Sequence, residues 1–236
     1  MHQSSSVRSI YEDGSYLESN PDWHAADAPY KARWIAEILN RNRLSPGSIV
    51  EVGSGSGEVL VNLQRHFPAA QLTGYDISPQ AYAISRGKTT PSLSFYKGDY
   101  LELDTPAPEL VMAIDVFEHV PDYMGFLQRM RSRGEWKLFH IPLDLSVQGM
   151  LRGTGLNYAR SVIGHLHYFC KDTALATLRD CGYEIVDWNY THGAATLPNR
   201  RLKTRVLNVP RRLMRAANED FCVRLLGGAS MMVLTK

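Results

Sequence analysis

Three glycines at alternate positions follow a β-branched run and precede a helical pattern. Gly53, Gly55 and Gly57 come directly after residues 49–52. Glycine adopts positive φ without strain and carries no side chain to hold a ligand away. The start of a helix adds unpaired N–H groups and the positive end of its dipole. These residues therefore predict a loop that binds a cofactor.

A carboxylate follows the next predicted strand. Residues 71–75 have strand character and end at Asp76, 19 residues beyond Gly57. An acid at that point can accept hydrogen bonds from both ribose hydroxyls of a nucleoside. The pair suggests an adenosine-containing ligand, with a helix-capping role for Asp76 as the alternative. The spacing Gly-x-Gly-x-Gly does not exclude a dinucleotide.

Two more acids follow predicted strands. Asp99 comes after residues 93–96 and Asp115 after the continuous apolar run 110–114, which is typical of a strand buried on both faces. Ligands of open α/β sheets bind at the carboxyl ends of the strands. We expect both acids on one rim with Asp76, although Asp99 could instead form a turn.

The order of elements that must position these residues is β-α-β-α, which requires a parallel sheet with right-handed crossovers. The chain has 236 residues, of which 44% are hydrophobic and 21% charged. That length suits one sizeable core. We expect a single α/β domain over residues 1–236.

Four motifs, in this order and spacing, resemble those of class I S-adenosylmethionine-dependent methyltransferases, and most closely the small-molecule group that includes the ubiquinone and menaquinone methyltransferases. They are Glu51-Val52-Gly53-Ser54-Gly55-Ser56-Gly57, Tyr75-Asp76-Ile77-Ser78, Gly98-Asp99-Tyr100 and Asp115-Val116-Phe117-Glu118-His119-Val120. The resemblance implies a Rossmann-like, doubly wound, mostly parallel sheet of seven strands with helices on both faces. Its last strand, about 229–235, would insert antiparallel. The implied cofactor is S-adenosyl-L-methionine.

The resemblance also implies which residues hold the cofactor. The implied set is Glu51, Gly53, Ser54, Gly55, Gly57, Asp76, Ile77, Asp99, Tyr100, Asp115 and Val116. The three glycines would line the methionine and ribose portion, and Glu51 would orient the loop or reach the amino group. Asp115 and Val116 would lie near the methionine moiety.

At the other end of the cofactor, the resemblance places Asp76 on the ribose hydroxyls and Ile77 on adenine. Asp99 would accept a hydrogen bond from the adenine amino group. Tyr100 would flank the ring.

Histidines supply the candidate catalytic groups, because a base is needed when the acceptor is a hydroxyl or a protonated amine, and histidine titrates near neutral pH. His119 is the first candidate; His140 and His167 are further ones, and His165 stands beside the last. The alternatives are that His119 orients its loop or packs on the cofactor, and that the others anchor a lid. We expect no metal.

The stretch Arg200 to Arg215 holds seven basic residues and no acid. It could recognise phosphate, lie on an anionic membrane, or form a solvated helical face. No aromatic residues are interleaved, which disfavours stacking on single-stranded nucleic acid. An RNA methyltransferase is thus an alternative function, beside an NAD-dependent oxidoreductase or a protein that binds the cofactor without turnover.

The remaining segments suggest how the acceptor is bound. We expect an arm at 1–26, a cofactor-binding core at 47–190, a lid or substrate insertion at 143–169 and a basic insertion at 191–227 before the last strand. A long loop after the fifth strand lies beside the ligand rim. The expected reaction is methyl transfer to a small-molecule acceptor at oxygen.

The composition of the chain indicates the cellular compartment in which we expect the protein. Three cysteines without CxxC spacing argue against a zinc site or a disulfide framework and suit a reducing cytoplasm. No secretory signal or membrane-spanning apolar run is found in the sequence. We expect a cytoplasmic protein with no transmembrane segment, and a homodimer is left open.

Overall fold

The computed structural model describes residues 25–192 and 209–236, which form a seven-stranded sheet covered by helices. The strands are β1 Ser48–Val52, β2 Gln71–Asp76, β3 Leu93–Lys97, β4 Leu110–Ile114, β5 Trp136–Pro142, β6 Ile185–Thr191 and β7 Ser230–Thr235. Their order is β3-β2-β1-β4-β5-β7-β6. The first five strands pair in parallel, and β7 inserts antiparallel between β5 and β6. The predicted fold class is therefore confirmed.

Nine α-helices connect the strands of the described residues. They are α1 Ala28–Arg41, α2 Glu58–Leu63, α3 Pro79–Ser85, α4 Tyr123–Arg131, α5 Val147–Arg152, α6 Thr154–Tyr158, α7 Lys171–Asp180, α8 Val209–Ala217 and α9 Glu219–Leu226. Single 3-10 turns include Tyr100–Glu102 and Phe117–His119, and a π-helical turn spans Ala159–Ile163. None of these helices is both long and apolar enough to cross a bilayer.

Two apolar clusters cover the two faces of the sheet. On one face α1 and α2 pack on side chains such as Met112 and Leu138. On the other, α4 and α7 pack on the alternate positions, such as Val111 and Phe139. Successive side chains of a strand point to opposite faces, so strands buried on both faces, as β4 is, read as continuous apolar runs.

Local capping sets where the helices begin. The Ser78 hydroxyl accepts a hydrogen bond of 3.3 Å from the Ala81 amide, and Pro79 takes the first position of α3. Asp122 caps α4 by accepting from the Gly125 amide. Such caps satisfy N–H groups that have no partner within the helix.

The predicted insertion 143–169 folds as α5, α6 and the π-helical turn, and the predicted insertion 191–227 contains α8 and α9. The predicted arm through residue 24 and the first part of the basic stretch, Arg200 to Arg205, lie outside the described residues. Their roles stay predictions.

Candidate active site

A cavity of about 1010 Å³ lies at the carboxyl ends of β1, β2, β4 and β5, and helices α5 and α6 of the insertion contribute to its wall. Pockets that bind small molecules typically measure roughly 300–1,000 Å³. This volume is at the upper end of that range. The cavity has room for a nucleoside cofactor and a small second substrate.

The glycine loop forms one wall. Gly53 and Gly55 line the cavity with φ of 71° and 52°, a left-handed conformation that favours glycine. The amides of Gly53 and Ser54 donate to the Tyr75 carbonyl, at 2.8 and 3.0 Å. These bonds fasten the loop to the end of β2.

Asp76 is held by two backbone amides. Its Oδ2 accepts from the Gly55 amide and its Oδ1 from the Ser78 amide, each at 2.8 Å. Burial raises the pKa of this carboxyl, and the two N–H donors act against that shift. The side-chain cap of α3 is Ser78, so Asp76 does not itself cap that helix. Each oxygen of a carboxylate can accept a further bond, which suits the two hydroxyls of a ribose.

Glu51 is a buried acid in the wall of the cavity. Burial raises its pKa to about 8, while the positive charge of Lys31 opposes the shift. Its Oε2 has no hydrogen-bond partner among the described residues. An unpaired buried acceptor is costly, and the ammonium group of a methionine moiety would satisfy it. The cavity residues thus fit S-adenosylmethionine.

Asp115 lies at the end of β4 in a left-handed conformation, with φ of 54°. Its Oδ1 is 2.6 Å from His140 Nδ1 and its Oδ2 is 2.7 Å from Lys31 Nζ. Burial opposes ionisation, but the charges of His140 and Lys31 outweigh it and hold the pKa of Asp115 well below its usual range. Asp115 is an ionised carboxylate in the cavity wall.

His140, the second candidate base, does line the cavity at the end of β5. Its second ring nitrogen, Nε2, lies 2.8 Å from the Thr191 hydroxyl, and the side chain is buried. Because both ring nitrogens are engaged within the protein, His140 positions Asp115 and does not present a nitrogen to an acceptor.

His119, the first candidate, does line the cavity. Its Nδ1 is 3.1 Å from the Gly164 carbonyl, and its ring lies 4.9 Å from that of His165, which also lines the cavity. His165 Nδ1 is 2.7 Å from Asp144 Oδ2. Glu118, fully buried behind them, completes a group that the sequence interpretation missed.

His167 is the third candidate base, and its expected position in the acceptor pocket is wrong, since it does not line the cavity. Its Nε2 is 3.0 Å from the Val120 carbonyl, and its ring packs on Tyr123 at 4.3 Å. His167 therefore ties the segment before α7 to Val120 at the end of the 3-10 turn and to Tyr123 of α4.

Two of the implied cofactor contacts lie behind the cavity wall. Gly57 has φ of 79°, and a Cβ there would come within 2.5 Å of the Phe95 ring. Glycine is therefore required at Gly57 for packing. Tyr100 is buried and packs on Tyr75 with ring centroids 5.2 Å apart. The remaining implied contacts in the cavity wall are Ser54, Ile77, Asp99 and Val116.

Three arginines line the same cavity: Arg129, Arg152 and Arg211. None forms an ion pair with a carboxylate among the described residues. Arg211 donates to the carbonyls of Gly227 and Leu226, at 2.7 and 2.9 Å. The described end of the basic stretch thus builds part of the cavity wall.

A seven-stranded sheet of this order, with a glycine loop and acids at its carboxyl edge, defines the class I S-adenosylmethionine-dependent methyltransferases. Over residues 23–187 the chain matches the family described as Methyltransferase domain, and it belongs to that family. The predicted class and its cofactor, S-adenosylmethionine, are confirmed. The finer resemblance to the quinone methyltransferases stays a prediction.

Among relatives, the chain is 31% identical over 115 residues to the trans-aconitate 2-methyltransferase of Methylobacterium nodulans, covering 46% of this chain and 44% of that protein. It spans less than half the length of the trans-aconitate 2-methyltransferases that it matches.

Solved structures of other methyltransferases share the fold. One is a chain from the complex between the Haloferax volcanii Trm112 methyltransferase activator and a methyltransferase, with a TM-score of 0.64, 18% identity and coverage of 97% of this chain and 96% of that chain. Another is the magnesium protoporphyrin IX methyltransferase of Synechocystis PCC 6803 with bound SAH, with a TM-score of 0.59, 14% identity and coverage of 88% and 82%.

Proposed function

We propose that the protein transfers the methyl group of S-adenosylmethionine to an oxygen of a small, negatively charged acceptor. The observation that carries this proposal is that acidic and basic side chains line different parts of the same cavity. Acids of β1 and β2, Glu51 and Asp76, lie at one end, and Arg152 and Arg211 lie beside α5 and the start of β7. The first end suits a cationic nucleoside cofactor and the second an organic anion.

At the cofactor end, the carboxylate of Glu51 would hold the amino group and that of Asp76 the ribose hydroxyls. Asp99, whose Oδ1 accepts from the Leu101 amide at 3.0 Å, would take the adenine amino group. When bound, the cofactor supplies a methyl group on a sulfonium leaving group. The chain then has to align an acceptor oxygen with that methyl group and exclude water.

At the acceptor end, the guanidinium groups of Arg152 and Arg211 would orient a carboxylate, since arginine binds carboxylates through paired N–H donors. Relatives of the chain act on trans-aconitate, a small organic anion. A carboxylate is already ionised at neutral pH. Transfer to a carboxylate oxygen would therefore need no general base, consistent with the engagement of His140 by Asp115 and Thr191.

The test is the formation of S-adenosylhomocysteine by the purified protein with a panel of acceptors: trans-aconitate and other small carboxylates, neutral sugars, phenols and RNA. We expect turnover with at least one small carboxylate. We also expect its KM to rise about tenfold or more in Arg152→Met, since hydrogen bonds to charged groups contribute roughly 1.5–3 kcal/mol. Turnover confined to RNA or to neutral acceptors would contradict the proposal, and the RNA result would establish the alternative.

A further inference from the structure

The burial of the Glu118 carboxylate is not explained by hydrogen bonds within the described residues. The side chain is fully buried, and neither oxygen has a hydrogen-bond partner among the described residues. Buried polar groups are nearly always paired, and an exception calls for an explanation such as an ion. Glu118 therefore indicates a missing cationic partner.

Two imidazoles lie beside this carboxylate. One potential ligand atom each from Glu118, His119 and His165 lies within 4.8 Å of the other two, and His119 Nε2 is 4.0 Å from Glu118 Oε1. Ligand atoms that are each about 2.0–2.2 Å from one metal ion lie at most about 4.4 Å apart, so this group needs only a small closing movement to hold an ion.

The outer contacts of both rings match those of metal ligands. His165 Nδ1 is bonded to the Asp144 carboxylate and His119 Nδ1 to the Gly164 carbonyl. Metal-bound histidines usually engage their second nitrogen in this way, which fixes the orientation of the ring. For His165, this leaves Nε2 as the ligand atom.

The backbone holds the two segments together. The Glu118 carbonyl accepts hydrogen bonds from the amides of Leu166 and His167, at 2.8 and 3.1 Å. These bonds join the end of the 3-10 turn after β4 to residues 166–167, which follow His165. They therefore hold the two segments that carry the three side chains next to each other.

We propose that Glu118, His119 and His165 bind a divalent transition-metal ion in the wall of the cavity. Two imidazoles and one carboxylate suit borderline ions such as Zn²⁺, Co²⁺, Fe²⁺ or Mn²⁺, whereas Ca²⁺ and Mg²⁺ prefer oxygen ligands. Since His119 and His165 line the cavity, the remaining coordination positions face it. The site departs from the expectation of no metal, which rested on cysteine spacing.

The open positions could take oxygens of the acceptor, a role that rests on the proposed function. A metal ion would hold a carboxylate or hydroxyl in place as a Lewis acid. The existence of the site is independent of that role, because it can be measured without cofactor or acceptor.

The test is titration of EDTA-treated full-length protein with Zn²⁺ by calorimetry and with Co²⁺ by visible absorption. We expect one equivalent to bind, with absorption bands typical of nitrogen ligands on Co²⁺. Glu118→Gln and His165→Asn should each weaken binding at least tenfold. Asp144→Asn should weaken it about 10–100-fold, as is usual for outer partners of metal ligands.

One variant serves as the control. His66→Asn removes an exposed histidine outside the cavity and should keep the affinity of the wild type. Circular dichroism confirms that each variant is folded, and Glu118→Gln is near-isosteric, so that it changes the shape of the buried side chain little.

The site is ruled out if the folded wild type binds neither ion, or if Glu118→Gln and His165→Asn bind as tightly as the wild type does. Metal binding without turnover on small carboxylates would contradict the proposed function alone. Turnover unaffected by EDTA, in a protein that binds no metal, would contradict the metal site alone.

Discussion

The amide of Gly55 donates a hydrogen bond of 2.8 Å to Oδ2 of Asp76. This bond joins the glycine loop after β1 to the acid that ends β2. It fixes the position of these two parts of the cofactor site relative to each other. Glycine and acid depend on each other here: the loop needs positive φ to aim its amide, and that amide favours the ionised form of the buried acid.

Asp76→Ala should weaken binding of S-adenosylhomocysteine at least tenfold. The substitution removes the acceptor for the ribose hydroxyls and also leaves the Gly55 and Ser78 amides without a partner. A lost hydrogen bond of this kind costs roughly 1–3 kcal/mol. Calorimetric titration measures the effect. The exposed Asp104, which does not line the cavity, provides the control variant Asp104→Ala. Equal affinities for the two variants would contradict the assignment.

Binding of S-adenosylhomocysteine at pH 7 should release a proton from Glu51. With a pKa raised to about 8, roughly nine tenths of this side chain is protonated at pH 7, one pKa unit being a factor of ten. A bound ammonium group favours the ionised form. Calorimetry in buffers of different ionisation enthalpy counts the protons. We expect release in the wild type and almost none in Glu51→Gln; equal counts would show that Glu51 does not meet the amino group.

The same side chain makes the stability of the ligand-free protein depend on pH. The folded state keeps the Glu51 proton up to a pKa of about 8, while the unfolded chain loses it near the ordinary glutamate pKa of 4.5. The folded state binds more protons between these values, so the contribution of Glu51 to the free energy of unfolding falls as the pH rises through that window. Urea unfolding between pH 5 and about 8 should show this decline, and Glu51→Gln should flatten it. An identical slope in both proteins would contradict the raised pKa.

Asp115→Asn should lower the free energy of unfolding. It leaves Lys31 and His140 without the carboxylate that lies 2.7 and 2.6 Å from them, and removing one partner of such a network costs about 1–3 kcal/mol. The folded pKa of Asp115 lies below that of the unfolded chain. The stability it contributes is thus present above the ordinary Asp pKa and is lost as the pH falls through the folded value. Urea unfolding at neutral and acidic pH measures both effects, and a difference that persists unchanged under acid would contradict this assignment.

Gly57→Ala should lower the free energy of unfolding by about 2 kcal/mol or more, through strain at positive φ and a contact with Phe95 that cannot be relieved without moving the ring. Gly87 is the matched control, because a Cβ there meets nothing within 4 Å and its φ is not positive. Thermal unfolding distinguishes the two. A Gly57→Ala protein as stable as Gly87→Ala would contradict the packing role.

Much of the fold and of the cofactor end could be predicted because the signals are local. The apolar run of β4, the Ser78-Pro79 helix start and the acid at the end of β2 are each visible within a few residues. Parallel strands then bring their carboxyl ends to one edge whatever the details of packing. Asp76 and Asp115 therefore line the cavity as expected.

The positions of the histidine side chains near the acceptor end of the cavity could not be predicted in the same way. Whether a histidine can act as a base depends on its partners: Asp115 and Thr191 engage both ring nitrogens of His140, Val120 engages His167, and Asp144 engages His165. These partners lie on different elements, distant in the chain.

The amino-acid sequence by itself determined the class of protein, its glycine loop and the acids at the edge of the sheet, because these depend on contiguous residues and on the periodicity of strands and helices. Only the tertiary structure decided that Glu118 is buried beside His119 and His165, with neither carboxylate oxygen hydrogen-bonded to any described residue. The reason is physical: burial and hydrogen bonding are properties of the packed chain. His165 comes from a segment that no local sequence pattern connects to the turn after β4.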